Sequence, residues 1–165
     1  METIHQTIVS GFDASKYKMN QVFYPSRDGA EIPMFILSKK DIEMNSDKPT
    51  VMYAYGGFNI PITPYFSAYK TVWSGDLNGV LAIANIRGGG EYGKKWYDGE
   101  KLVNKMNCFD DFNVGAEYLI NNKFTSSKKI AIEGGSNGGT LVAACFNQRP
   151  ELYRAVLYNW IRLEI

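Results

Sequence analysis

Apolar and polar positions divide the chain into short elements. From Gln21 the sequence QVFYPSRDGAEIPMFILSKK holds two β-prone runs joined by Ser26-Arg27-Asp28-Gly29, and Asp-Gly between extended runs predicts a hairpin. The polar segment DIEMNSDKP predicts a surface loop. TVMYAY, Thr50 to Tyr55, is a continuous apolar run, as expected of a strand covered on both faces. Glycine and proline throughout GGFNIPITPYF exclude a long helix there. SAYKTVWSGDLNG predicts a helix ending near Gly79, VLAIANIR a second buried strand, and GGGEYGKKWYDGEKLVNKMN a loop.

The spacing changes in FDDFNVGAEYLINN, where Phe109, Phe112, Ala116, Leu119 and Ile120 recur at helical intervals. Asp110 and Asp111 are expected in the first turn, where a carboxylate favours the positive end of the helix dipole. Lys129 to Glu133 predicts a strand, Thr140 to Asn147 a helix stopped by Pro150, and RAVLYNWIRL a further strand. After the hairpin, strands and helices alternate. The fold class that follows is α/β: a mostly parallel sheet with helices on both faces and an N-terminal β-hairpin.

Composition sets the scale. At 165 residues and 45% hydrophobic, residues 1–165 suit a single domain. Eighteen basic against seventeen acidic residues leave a net charge of +1 without a run of like charge, which points away from nucleic acid or an anionic membrane as partner. METIHQTIVSGFDASKYK lacks the basic segment and apolar stretch of a secretory signal, and no run has membrane-spanning length. Cys108 and Cys145 lack metal-ligand spacing and read as buried, reduced thiols of a cytoplasmic protein.

The candidate chemistry is concentrated in Gly134-Gly135-Ser136-Asn137-Gly138, which fits G-x-S-x-G between a predicted strand and a predicted helix. A sharp turn at that place exposes the serine hydroxyl, and the flanking glycines admit close backbone approach. The competing reading is a glycine-rich turn in which Ser136 merely caps the helix. Gly88 to Gly93 also matches G-x-G-x-x-G after a strand, but KKWYDG is not the apolar helix that a dinucleotide site requires, and no glycine loop ends in the Lys-Ser/Thr pair of a P-loop. Arg87 and Glu91, which flank the triple glycine, are expected to organise that loop by pairing.

Five segments, in order, carry a resemblance to a known family: YGGFN (Tyr55 to Asn59), ANIRGGGEYG (Ala84 to Gly93), NCFDDF (Asn107 to Phe112), EGGSNGG (Glu133 to Gly139) and NQRPELY (Asn147 to Tyr153). Together they resemble the catalytic domain of prolyl oligopeptidase, from about Val9 to about Leu157. The resemblance implies a partial α/β-hydrolase fold, no cofactor or metal, and a serine endopeptidase acting on short proline-containing peptides. It makes Ser136 the nucleophile, the backbone N–H of Asn137 one oxyanion donor and the Tyr55 hydroxyl the other. Phe58 becomes a residue of the substrate pocket. On residues alone, Tyr55 reads as a core tyrosine at a strand end and Phe58 reads equally well as core.

A serine nucleophile needs a base, and in α/β-hydrolases the order is Ser, then Asp or Glu, then His. No histidine follows Ser136. The single histidine, His5, precedes it and reads as a solvated tail residue, and the acids after Ser136 are Glu151 and Glu164. The resemblance places the partner aspartate and histidine beyond these residues, and departs from the family pattern from about Tyr158. The expectation is an incomplete peptidase domain, inactive alone. The alternative is a truncated or divergent non-catalytic copy that acts by binding. Either way AVLYNWIRLEI is expected to form a sheet edge prone to self-association, with TLVAACF and VLAIANI leaving apolar patches uncovered.

Overall fold

The computed structural model describes residues 12–161. The hairpin is present, and longer than its sequence signal. β1 (Tyr17–Pro25) and β2 (Glu31–Lys39) pair antiparallel in full register from Tyr17 opposite Lys39 to Pro25 opposite Glu31. Gly29 takes φ +85 in the turn, where a side chain would be strained. β3 (Thr50–Tyr53), β4 (Val80–Ala84), β5 (Ile130–Ser136) and β6 (Ala155–Ile161) complete a six-stranded sheet of order β1-β2-β4-β3-β5-β6. β4, β3, β5 and β6 run parallel to one another, while β2 joins β4 antiparallel. The sheet is therefore mostly parallel.

Four helices connect these strands: α1 (Ala68–Gly75), α2 (Lys94–Asp98), α3 (Met106–Asn121) and α4 (Asn137–Gln148). The crossover through α1 leads from β3 to one side, and those through α3 and α4 lead to the other. Right-handed crossovers then put α1 on one face of the sheet and α3 with α4 on the opposite face. Side-chain alternation in β3 agrees. Met52 faces Gly115 of α3, whereas Val51 and Tyr53 line a cavity with Tyr69 and Lys70 of α1. The main core lies under α3 and α4, where Met34, Met52, Ile132, Phe112, Leu119, Leu141 and Val142 are almost wholly buried.

Four expectations need correction. Residues 94–98 form a helical turn rather than loop, because Trp96 is anchored by tertiary bonds: its indole N–H donates to Ile86 O at 3.0 Å and its carbonyl accepts from Gly88 N–H at 3.1 Å. α3 starts at Met106, so Asp110 and Asp111 lie past its first turn. Asp111 is fully buried and pairs with Arg87 instead of facing the positive end of the helix dipole. Finally, VLAIANI leaves no apolar patch, since all five residues of β4 are buried, and in TLVAACF only Phe146 is exposed. Exposed apolar groups lie elsewhere, among them Leu102, Val103 and Met106, Phe66 and Val72, and Leu157 and Tyr158 of β6. His5 and residues 162–165, which include the end of the predicted last strand, lie outside the described residues.

Candidate active site

β3 and β5 are neighbours, yet the chain leaves β3 towards β4 and leaves β5 towards β6. At the carboxyl ends of two such strands the following loops diverge and open a crevice, the place where ligands bind in open α/β sheets. The loop after β3 carries Tyr55, Gly56, Gly57 and Phe58. The end of β5 carries Ser136.

No loop separates β5 from α4: the strand ends at Ser136 and the helix begins at Asn137. The turn is made at Ser136 itself, at φ 55 and ψ −120, a conformation that strains any residue with a Cβ. Its side chain makes no capping hydrogen bond to α4, so the reading of Ser136 as a simple helix cap fails. Two glycines allow the turn. A Cβ on Gly134 would collide with the carbonyl of Gly138, and one on Gly138 would stand 2.8 Å from Ala54 O. The strand end, the helix start and the end of β3 are thus in backbone contact, and the first amides of α4 open beside the serine.

The β3 loop is equally constrained. Gly56, Phe58 and Asn59 all have positive φ, at 55, 55 and 56. The loop is held from below by Asn59 N–H donating to Gly88 O at 3.1 Å, and Gly88 is glycine because a Cβ would meet Gly56 O at 2.7 Å. From the elbow side, the Asn137 amide nitrogen donates to Tyr55 O at 2.8 Å and to Gly56 O at 2.9 Å. Tyr55 is half-buried. Phe58 is 46% exposed, which rules out the reading of it as core.

Phe58 and Asn137 meet at an open cavity of about 530 Å³, whose other walls are Tyr97, Glu100, Lys101, Leu102, Lys105 and Thr140. Glu100 and Lys105 pair across it at 2.6 Å. Ser136 and Tyr55 are not among its walls. A second cavity, of about 260 Å³, lies on the α1 face beneath Gly134 and Gly135 and holds Glu133, Lys70, Tyr53, Tyr65 and Tyr69. Burial raises the Glu133 carboxyl above its ordinary value, with Lys70 opposing, and burial lowers the Lys70 amine. Burial likewise pushes the Cys108 thiol up to about 12, and neither free cysteine has thiolate character.

Behind the site, Arg87 bridges three elements. Its guanidinium donates to Asp111 at 2.9 and 2.6 Å and to Asp28 in the hairpin turn at 2.5 and 3.2 Å. Glu91 accepts from Ile62 N–H at 2.9 Å and from the Asn85 amide at 3.0 Å, which ties the glycine loop to the segment after Phe58. Sequence reasoning used only the backbone of Asn137 and overlooked its side chain. It also overlooked Tyr97, Glu100 and Lys105, which sit in the segment taken for loop, and no local periodicity marks them.

The geometry matches known proteins closely. The Prolyl oligopeptidase family profile matches residues 64–159. The chain is 50% identical over 151 residues to a prolyl endopeptidase of Dictyostelium discoideum, covering 90% of this chain and 20% of that protein. It is 47% identical over 141 residues to a prolyl endopeptidase of Elizabethkingia meningoseptica, covering 86% and 20%. Among solved structures, a prolyl endopeptidase superposes with a TM-score of 0.87 at 49% identity, covering 88% of this chain and 21% of the other. A post-proline cleaving enzyme from Rickettsia typhi gives 0.88 at 41% identity, covering 92% and 22%. The chain therefore spans about 20% of the length of these curated relatives.

Proposed function

The chain belongs to the prolyl oligopeptidase family, and from that membership we propose that it carries the nucleophile and oxyanion-binding part of a serine endopeptidase that cleaves short peptides after proline. The observation that carries this reading is the strained, uncapped Ser136 between β5 and α4. In the proposed reaction its Oγ forms a bond to the carbonyl carbon on the C-terminal side of proline. The oxygen becomes an oxyanion held by Asn137 N–H and the Tyr55 hydroxyl, and the C–N bond then breaks to leave an acyl-enzyme that water hydrolyses. Phe58 offers an apolar wall to the substrate.

The serine proton must pass to a base and then to the leaving amine. The 165 residues hold no histidine after Ser136, and His5 lies outside the described residues. A polypeptide of these residues alone is therefore proposed to be inactive. Incubation with a Gly-Pro chromogenic substrate is expected to give no cleavage that Ser136→Ala abolishes. A fluorophosphonate probe is expected to give at most a slow adduct, confined to Ser136 by peptide mapping. A rapid stoichiometric adduct on Ser136 would reveal a base within the chain, and an adduct spread over other serines would overturn the choice of nucleophile.

A second proposed reading is a non-catalytic protein that acts by binding. We place the protein in the cytoplasm, in keeping with two free buried thiols; among the described residues no helix is long and apolar enough to cross a membrane. Self-association through β6 is part of the proposal, since Leu157 and Tyr158 are 46% and 59% exposed on the last strand of the sheet.

A further inference from the structure

We infer that the side chain of Asn137 is a positioning residue that sets the Tyr55 loop against the Ser136 elbow, so that one residue aligns both halves of the oxyanion site. The inference rests on the reading of Ser136 and Tyr55 proposed above. Three observations carry it. Both N–H bonds of the Asn137 amide are spent on consecutive carbonyls, of Tyr55 at 2.8 Å and Gly56 at 2.9 Å. Residue 57 is glycine where a Cβ would collide with the same amide. The loop so gripped is strained by itself, since Phe58 and Asn59 are non-glycine residues at positive φ.

The arrangement has a geometric consequence. The backbone N–H of Asn137 is fixed by the first turn of α4, and α4 is fixed to the end of β3 by the approach of Gly138 to Ala54 O. The Tyr55 hydroxyl, by contrast, sits at the end of a flexible side chain on a strained loop. Without the amide grip the loop loses both of its hydrogen bonds to Asn137, and the two donors lose their common frame. Preorganised donors stabilise an oxyanion only where they need not move to meet it.

The test is made on the 165-residue chain, by hydrogen exchange and by the ring signal of Tyr55 from ¹³C-labelled tyrosine. Asn137→Asp keeps the shape but turns both donors into an acceptor facing two carbonyls. At neutral pH it is expected to lower the protection of the Asn59 and Ile60 amides at least about tenfold and to shift the Tyr55 signal. Amides of β5 and α3 serve as the internal reference and stay protected. Acidification protonates the new carboxyl, returns one donor and restores part of both signals. Asn137→Ala loses them at every pH.

Two results would overturn the inference: an Asn137→Asp chain that matches the unsubstituted one at neutral pH, or Asp and Ala variants that behave alike across the titration. Should Asn137→Asp unfold β5 and α3 as well, Gly57→Ala decides, since it displaces the amide without removing it and is expected to loosen the same loop; unchanged protection there also overturns the inference. Ser136→Ala leaves the loop as it is. Failure of the nucleophile reading in the labelling experiment is thus seen separately from failure of this one.

Discussion

At the residue scale, the site is bought with strain at Ser136. A residue with a Cβ at φ 55 and ψ −120 costs about 1–3 kcal/mol, and glycine avoids most of that while costing some chain entropy. Ser136→Gly is expected to stabilise the chain by about 1 kcal/mol, read as a higher urea midpoint, while removing the hydroxyl. A lower midpoint would mean that the hydroxyl makes a stabilising contact. Glu133, three residues earlier, carries a different cost. Its folded carboxyl is raised by burial, so the folded state holds its proton more tightly than the unfolded chain does. Below about pH 4.3 both states are protonated and the group contributes nothing; as pH rises through the raised folded value it becomes destabilising. Glu133→Gln is therefore expected to raise the urea midpoint at pH 7 and to leave it unchanged at pH 4. An equal gain at both would assign the effect to something other than the charge.

At the element scale, the hairpin turn, the loop after β4 and α3 meet at Arg87. The Arg87–Asp111 pair is buried on both sides, with Asp111 fully enclosed and its carboxylate also accepting from Ser26 Oγ and Arg87 N–H. Removing one partner of a buried pair costs about 3–5 kcal/mol because the other charge is left without its counterpart. Asp111→Ala leaves Arg87 with Asp28 as its carboxylate partner and removes the acceptor of Ser26 Oγ and Arg87 N–H, and it is expected to cost about 3 kcal/mol in urea unfolding, the lower end of that range. Arg27→Ala, which removes the exposed Arg27–Asp110 contact at 3.3 Å, should cost less than about 1 kcal/mol. Equal losses would show that the hairpin is not anchored through the buried pair. The same cluster carries the site indirectly, because Arg87 begins the glycine loop whose Gly88 supports Asn59 and the Tyr55 loop.

At the scale of the whole molecule, the core under α3 and α4 is closed, while the apolar groups left in solvent include Leu102, Val103 and Met106 beside the larger cavity, Phe66 and Val72, and Leu157 and Tyr158 of β6. Leu102 and Val103 are 91% and 93% exposed, more than a monomer ordinarily tolerates in adjacent apolar residues. A chain of these residues made alone at micromolar concentration is expected to self-associate. Size-exclusion chromatography with light scattering checks this, and a monodisperse monomer at that concentration would refute it.

What the sequence determined by itself is local. The hairpin follows from Asp28-Gly29, the buried strands from TVMY and VLAIA, α3 from its apolar spacing, and the tight strand-to-helix turn from glycines beside Ser136, because each signal depends on neighbours a few residues away. Only the tertiary structure decided the rest. Trp96 turned an apparent loop into α2 by bonding to Ile86, ten residues distant, Asp111 exchanged a helix-dipole role for Arg87, and Phe58 came to the wall of a cavity rather than the core. The Asn137 side chain reaches Tyr55 across 82 positions of sequence, a contact that exists only once β3 and β5 lie side by side. Periodicity records which face of an element is buried; it holds no record of which distant carbonyl an amide will meet there.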